Sequence, residues 1–98
     1  MRVQFLPEAN LEIIEAIDYY LEIDLELAQA FERELRQAEA DICEMPDAWR
    51  PLGKGLRRKL FENYPYGLIY HKIGPDLLEV VSVVALRRKP NYWRKRLD

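Results

Sequence analysis

Residues 56–86 read LRRKLFENYPYGLIYHKIGPDLLEVVSVVAL. The last ten, LLEVVSVVAL (77–86), are rich in β-branched residues and almost continuously apolar, the pattern of a strand buried on both faces. Gly74-Pro75-Asp76 just before them is a turn signal, and YGLIYHKI (66–73) precedes the turn, so a hairpin is expected. NYP (63–65) reads as another turn and LRRKLFE (56–62) as the strand before it, which predicts a three-strand meander. Upstream, PDAWRPLGKG (46–55) carries two Pro and two Gly and reads as an irregular loop.

Further toward the N-terminus the apolar period changes. Leu27, Phe31, Leu35, Ala38 and Ile42 form the stripe of an amphipathic helix, with Asp24 as its N-cap and Pro46 as its stop. Ala9, Ile13, Ile17 and Leu21 recur every four residues, widened by Ile14 and Tyr20, and predict an earlier helix over about 8–22. Pro7 suits its first turn, where the missing N–H costs nothing, and RVQFL (2–6) alternates as a short strand. The chain therefore reads as an α+β fold, β-α-α-β-β-β, with two N-terminal helices packed on one face of a small, mostly antiparallel sheet. Its 98 residues suffice for one core, so 1–98 reads as a single domain.

Charge is divided along the chain. Residues 1–49 hold thirteen Asp or Glu against three Arg or Lys, and residues 50–98 hold four against twelve. The formal net charge of −2 thus hides an acidic half and a basic half, a signal of partner binding. The single cysteine, Cys43, allows no internal disulfide and fits a reducing compartment. No apolar run approaches the roughly 18 residues of a spanning helix, and no signal peptide is evident, so a cytoplasmic protein is expected.

The basic half ends in LRRKPNYWRKRLD (86–98), where Arg87, Arg88, Lys89, Arg94, Lys95 and Arg96 bracket Tyr92 and Trp93. Cations interleaved with aromatics suit a partner that is negatively charged and offers flat or apolar surface. The residues read as a partner surface are Arg87, Arg88, Tyr92, Trp93, Arg94 and Arg96. Within it Trp93 is expected to fold back onto the helices, and Arg94, Lys95 and Arg96 to face outward. The acids of the first helix, Glu8, Glu12, Glu15, Asp18 and Glu22, read mostly as a solvated face. Lone His71 and Cys43 lack companions for metal or nucleophilic chemistry, and no cofactor fingerprint appears, so neither metal nor cofactor is expected.

This order of elements resembles the RelE/ParE superfamily of toxins from type II toxin–antitoxin modules. The resemblance rests on EAIDYY (15–20), LAQAFERELRQA (27–38), the loop at 46–50, LRRKLFENYPYGLIY (56–70) and VVSVVALRRKPNYWRKR (80–96), which follow one another at the family's spacing. It covers nearly the whole chain, and the paired helices with DYY look more like the ParE-like, or plasmid stabilisation, branch. The family often carries a His shortly before the late Arg; Val84, Ala85 and Leu86 stand there here.

The resemblance implies a toxin that inhibits DNA gyrase by binding it, with no catalytic residues. It implies a cognate antitoxin with an acidic or amphipathic segment, joined to the toxin in a hetero-oligomer. The alternative is a RelE-like, ribosome-dependent mRNA endoribonuclease, which would need a base, an acid and cations around a phosphate. Lys54, Arg57, Arg58 and Lys59 near the first meander strand would then face Arg87, Arg88 and Tyr92 across a basic cleft. Arg57, Arg87 and Tyr92 are the candidates for that chemistry, while Lys54 and Lys59 read as solvated edge charges. A degenerate, non-toxic member that only binds its partner is the remaining reading.

Overall fold

The computed structural model describes residues 1–97. Strand β1 (Arg2–Phe5) leads into helices α1 (Pro7–Ile23) and α2 (Leu25–Glu44). Strands β2 (Arg50–Gly53), β3 (Leu56–Leu60), β4 (Tyr66–Gly74) and β5 (Leu77–Ala85) follow, and a 3-10 turn (Arg94–Leu97) closes the described chain. The strands form one sheet in the order β1-β5-β4-β3-β2, with β1 parallel to β5 and the other pairs antiparallel. No helix among the described residues is long and apolar enough to cross a membrane.

Local chemistry accounts for the boundaries. Pro7 occupies the first turn of α1, and the Asp24 carboxylate between the helices accepts the Glu26 N–H at 2.8 Å. Helix α2 ends at Glu44, just before Pro46. The α+β expectation holds, with one correction. The segment read as a loop at 46–55 contains β2, which pairs Arg50 with Arg58 and Pro51 with Arg57. Proline is tolerated because β2 is an edge strand. The reversal into β3 uses positive φ at Gly53 (89°), Lys54 (55°) and Gly55 (80°), a left-handed run that glycine makes cheap. The meander therefore has four strands instead of three.

The helices cover one face of the sheet. Phe31, Leu35 and Ile42 of α2 and Ala9, Ile13 and Ala16 of α1 bury against Leu68, Tyr70, Leu78, Val80 and Val83. Ile14 and Leu21, expected in the α1 stripe, instead stand on its outer side, 54% and 45% exposed. Leu56, Ile69, Val81 and Val84 form the opposite face, closed by Trp93 at 3% exposure. Strand β5 is thus buried on both faces, as its apolar run implied. A bulge lies within it: Ile69 pairs with Ser82 but Tyr70 pairs with Val80, leaving Val81 as the extra residue. The bulge switches parity, so Leu78 and Val80 before it and Val83 and Ala85 after it share the helix-covered face.

Candidate functional site

Strand β1 accompanies β5 only as far as Val80, through Phe5 and the Leu6 N–H on Val80 O at 3.0 Å. Beyond that point the edge of β5 has no strand beside it. A buried strand edge must still satisfy its backbone groups. Two side chains from distant parts of the chain do so. Glu12 Oε1 of α1 accepts the Val83 N–H at 3.1 Å, and Arg96 Nη1 donates to Val81 O at 3.0 Å.

The same two side chains pair with each other. Arg96 Nη1 donates to Glu12 Oε1 at 2.8 Å and Nη2 to Oε2 at 3.3 Å. Ser82 Oγ donates to Glu12 Oε1 at 2.9 Å, the Tyr92 hydroxyl donates to Oε2, and Arg88 Nη1 lies 3.8 Å from Oε2. Glu12 is 8% exposed and the Arg96 side chain 13%. Burial alone would lower the Arg96 pKa, but the hydrogen bond and charge of Glu12 outweigh it and raise it, so the guanidinium stays charged. Removing one member of such a pair leaves the other buried and unpaired, at a cost of about 3–5 kcal/mol.

This clasp organises the basic terminal segment. Arg88 N–H bonds Ala85 O at 3.0 Å as the chain leaves β5, and Asn91, at φ 65°, turns it back. Trp93 then reaches the open sheet face. Aromatic rings separate the cations: Arg88 lies 3.9 Å and Arg96 5.2 Å from the Tyr92 centroid, and Arg94 4.7 Å from that of Trp93. Arg87 sits 5.5 Å from Tyr19, the first tyrosine of the DYY signature. Tyr20, the second, packs among Phe31, Tyr64 and Tyr66. Arg87, Arg88, Lys89 and Lys95 are exposed and Arg94 half-buried.

Three expectations change here. Arg96 points inward to Glu12 instead of outward. Trp93 folds back onto the sheet face opposite the helices, not onto the helices. Lys59 is held between the Trp49 ring, 4.2 Å away, and Asp41, 3.8 Å away, instead of lying free in solvent.

The single basic cleft is not assembled either. Arg57 shares the helix-covered side with Tyr70, its register partner, and its Nη1 donates to Trp49 O at 2.8 Å. It lines a cavity of about 260 Å³ with buried Tyr70 and the exposed Lys54 and Lys72. Arg87, Arg88 and Tyr92 line a different one of about 70 Å³ with Glu12, Tyr19 and Tyr66. Arg58, on neither, lies on the face closed by Trp93. Tyr92 is also chemically restrained: burial first, then its bond to Glu12, raises its pKa, so it stays a neutral phenol. His71 pairs with Glu79 at 2.9 Å across β4 and β5.

Glu12 was the residue that sequence reasoning missed. Its signal was present, because Ala9, Glu12, Ile13 and Ala16 follow the i, i+3, i+4, i+7 spacing of the buried side. Ser82, the lone hydroxyl within the apolar run VVSVVAL (80–86), was the matching mark on β5.

The fold and this geometry can be set beside known proteins. The family model described as the ParE toxin of the type II toxin–antitoxin system, parDE, matches residues 3–90. A solved structure titled "Chromosomal ParDE TA system from P. aeruginosa" superposes with a TM-score of 0.77 at 14% identity, covering 89% of this chain and 97% of that one. At that identity the likeness speaks for the fold. No curated protein matches in sequence. The family model spans nearly the whole chain, and the chain belongs to the ParE toxin family of type II toxin–antitoxin systems.

Proposed function

We propose that this toxin acts in the cytoplasm as a single domain and inhibits DNA gyrase by binding it through the terminal basic segment. The observation that carries this reading is the Glu12 clasp, which commits Tyr92 and Arg96 to holding the segment in place. Arg87, Arg88, Lys89 and Lys95 stay exposed beside half-buried Arg94 and present their charge to a partner on a preordered surface. Preordering lowers the entropy lost on association. Binding is favoured over RNA cleavage because Arg57 is remote from Arg87 and the Tyr92 hydroxyl is tied to a carboxylate.

A cognate antitoxin would neutralise the protein in a hetero-oligomer. Leu11, Ile14 and Leu21 give α1 an apolar outer stripe suited to an amphipathic segment, and the basic tail suits an acidic one. The test is a supercoiling assay with purified protein. Inhibition of gyrase, lost on Arg87→Ala/Lys89→Ala, is expected. Unimpaired supercoiling together with codon-linked cuts in translated messages would overturn the proposal in favour of the endoribonuclease.

A further inference from the structure

Arg58 has an environment that neither the clasp nor the fold explains. Its Nε is the buried side-chain nitrogen that, among the described residues, has no hydrogen-bond partner. Leaving such a group unmet costs free energy, so an unpaired buried guanidinium nitrogen calls for an explanation. Arg58 projects from β3 on the face away from the helices, opposite Ile69 of β4. Gly67 on β4 gives its stem room: a Cβ at that position would stand 3.4 Å from Arg58 Cγ.

Arg58 borders a cavity of about 150 Å³ between the sheet face and the terminal segment. Leu52, Ile69, Val84, Leu86 and Trp93 supply apolar walls, and among the described residues Asn91 is the other polar side chain and no carboxylate lines it. The Asn91 oxygen already accepts from Arg94 Nε at 3.2 Å. Among the described residues the pocket therefore offers an arginine whose Nε is unmet, an indole and aliphatic walls.

We propose that this pocket is a docking site for an acidic side chain flanked by apolar residues on a partner polypeptide. A carboxylate is the planar, doubly accepting group that a guanidinium fork matches, and the apolar walls would take the neighbouring side chains. Nucleic acid fits less well, since phosphate backbones are gripped by several cations on open surface, not by one arginine among aliphatic side chains. The terminal segment forms one wall, so the Glu12 clasp on the other side of β5 holds the pocket's shape. The proposal does not depend on gyrase being the target.

The test uses the full-length protein and nuclear magnetic resonance of the Arg58 Nε–H and the Trp93 indole N–H. A blocked Leu-Glu-Leu peptide should shift both saturably, and its Leu-Gln-Leu counterpart should bind about tenfold to a hundredfold more weakly, the worth of a charge-assisted hydrogen bond. Arg58→Gln should lose the distinction, while Arg58→Lys should keep part of it. A single-stranded DNA oligonucleotide at equal concentration should leave Arg58 unmoved. Because the buried Arg58 Nε is unmet in the free protein, Arg58→Leu should raise the melting temperature while abolishing peptide binding. No shift with the acidic peptide, a larger shift with DNA, or a lower melting temperature for Arg58→Leu would each overturn the proposal.

Discussion

On one face of the sheet, Phe31, Leu35 and Ile42 of α2 meet Leu68, Tyr70 and Val80. On the other, Leu56, Ile69, Val81 and Val84 meet the tail through Trp93, with Leu6, Leu52 and Tyr92 at the margins. The first face is closed by whole helices whose burial is apolar and largely additive in area. The second is closed by one indole, on a segment so rich in cations that it would repel itself without Glu12 and the aromatic rings. The difference teaches where stability and function separate. The helix face makes the fold, whereas the tail face is held by a few polar contacts and leaves Arg87, Arg88, Lys89 and Lys95 exposed.

That contrast can be broken most forcefully at Phe31. Phe31→Ala removes a fully buried ring that packs on Tyr20, Phe61, Tyr64 and Tyr66, and should cost about 3–5 kcal/mol. Urea unfolding would report it as a loss of the whole cooperative transition's stability. Glu12→Ala should cost somewhat less, about 3 kcal/mol, because the tail can leave and return Arg96 to water. Its sharper signature is a red shift of Trp93 emission before the main transition, read against a Trp49→Phe background.

Alkaline pH probes the helix face through Tyr70. Burial raises the Tyr70 pKa from 10.0 to about 12, despite Arg57 beside it. The unfolded chain therefore ionises this phenol first, so its contribution is intact below pH 10 and stability falls as pH rises toward about 12. Thermal melts across that range should show the decline, and Tyr70→Phe should flatten part of it. The smallest effect belongs to Tyr92→Phe, which removes one donor from Glu12 but keeps the ring beneath Arg88 and Arg96. It should lower stability by about 1 kcal/mol in the same melts.

Much of the helix face was legible in the sequence, because its signals are local. Pro7, Asp24, Pro46 and the Gly74-Pro75-Asp76 turn each act within a few residues of where they stand. Strand β2 was hidden because Arg50 and Pro51 are extended only through pairing with β3, and the flanking Pro and Gly signal a loop. The site was half legible. Its cations and aromatics are plain in the sequence, but their directions depend on a carboxylate 84 residues from Arg96 in the chain. The β5 bulge, which changes which residues face the helices, falls at Val81 within the apolar pair Val80-Val81, where nothing local marks it.

The most direct measurement of the central claim is backbone amide dynamics of residues 87–97 in the free protein and in Glu12→Gln. Heteronuclear relaxation should find the native segment nearly as rigid as β5, with the Val83 amide strongly protected from exchange. Glu12→Gln should release the segment and expose that amide while leaving α2 and β4 unchanged. A tail already mobile in the native protein, or one equally rigid in Glu12→Gln, would contradict the account.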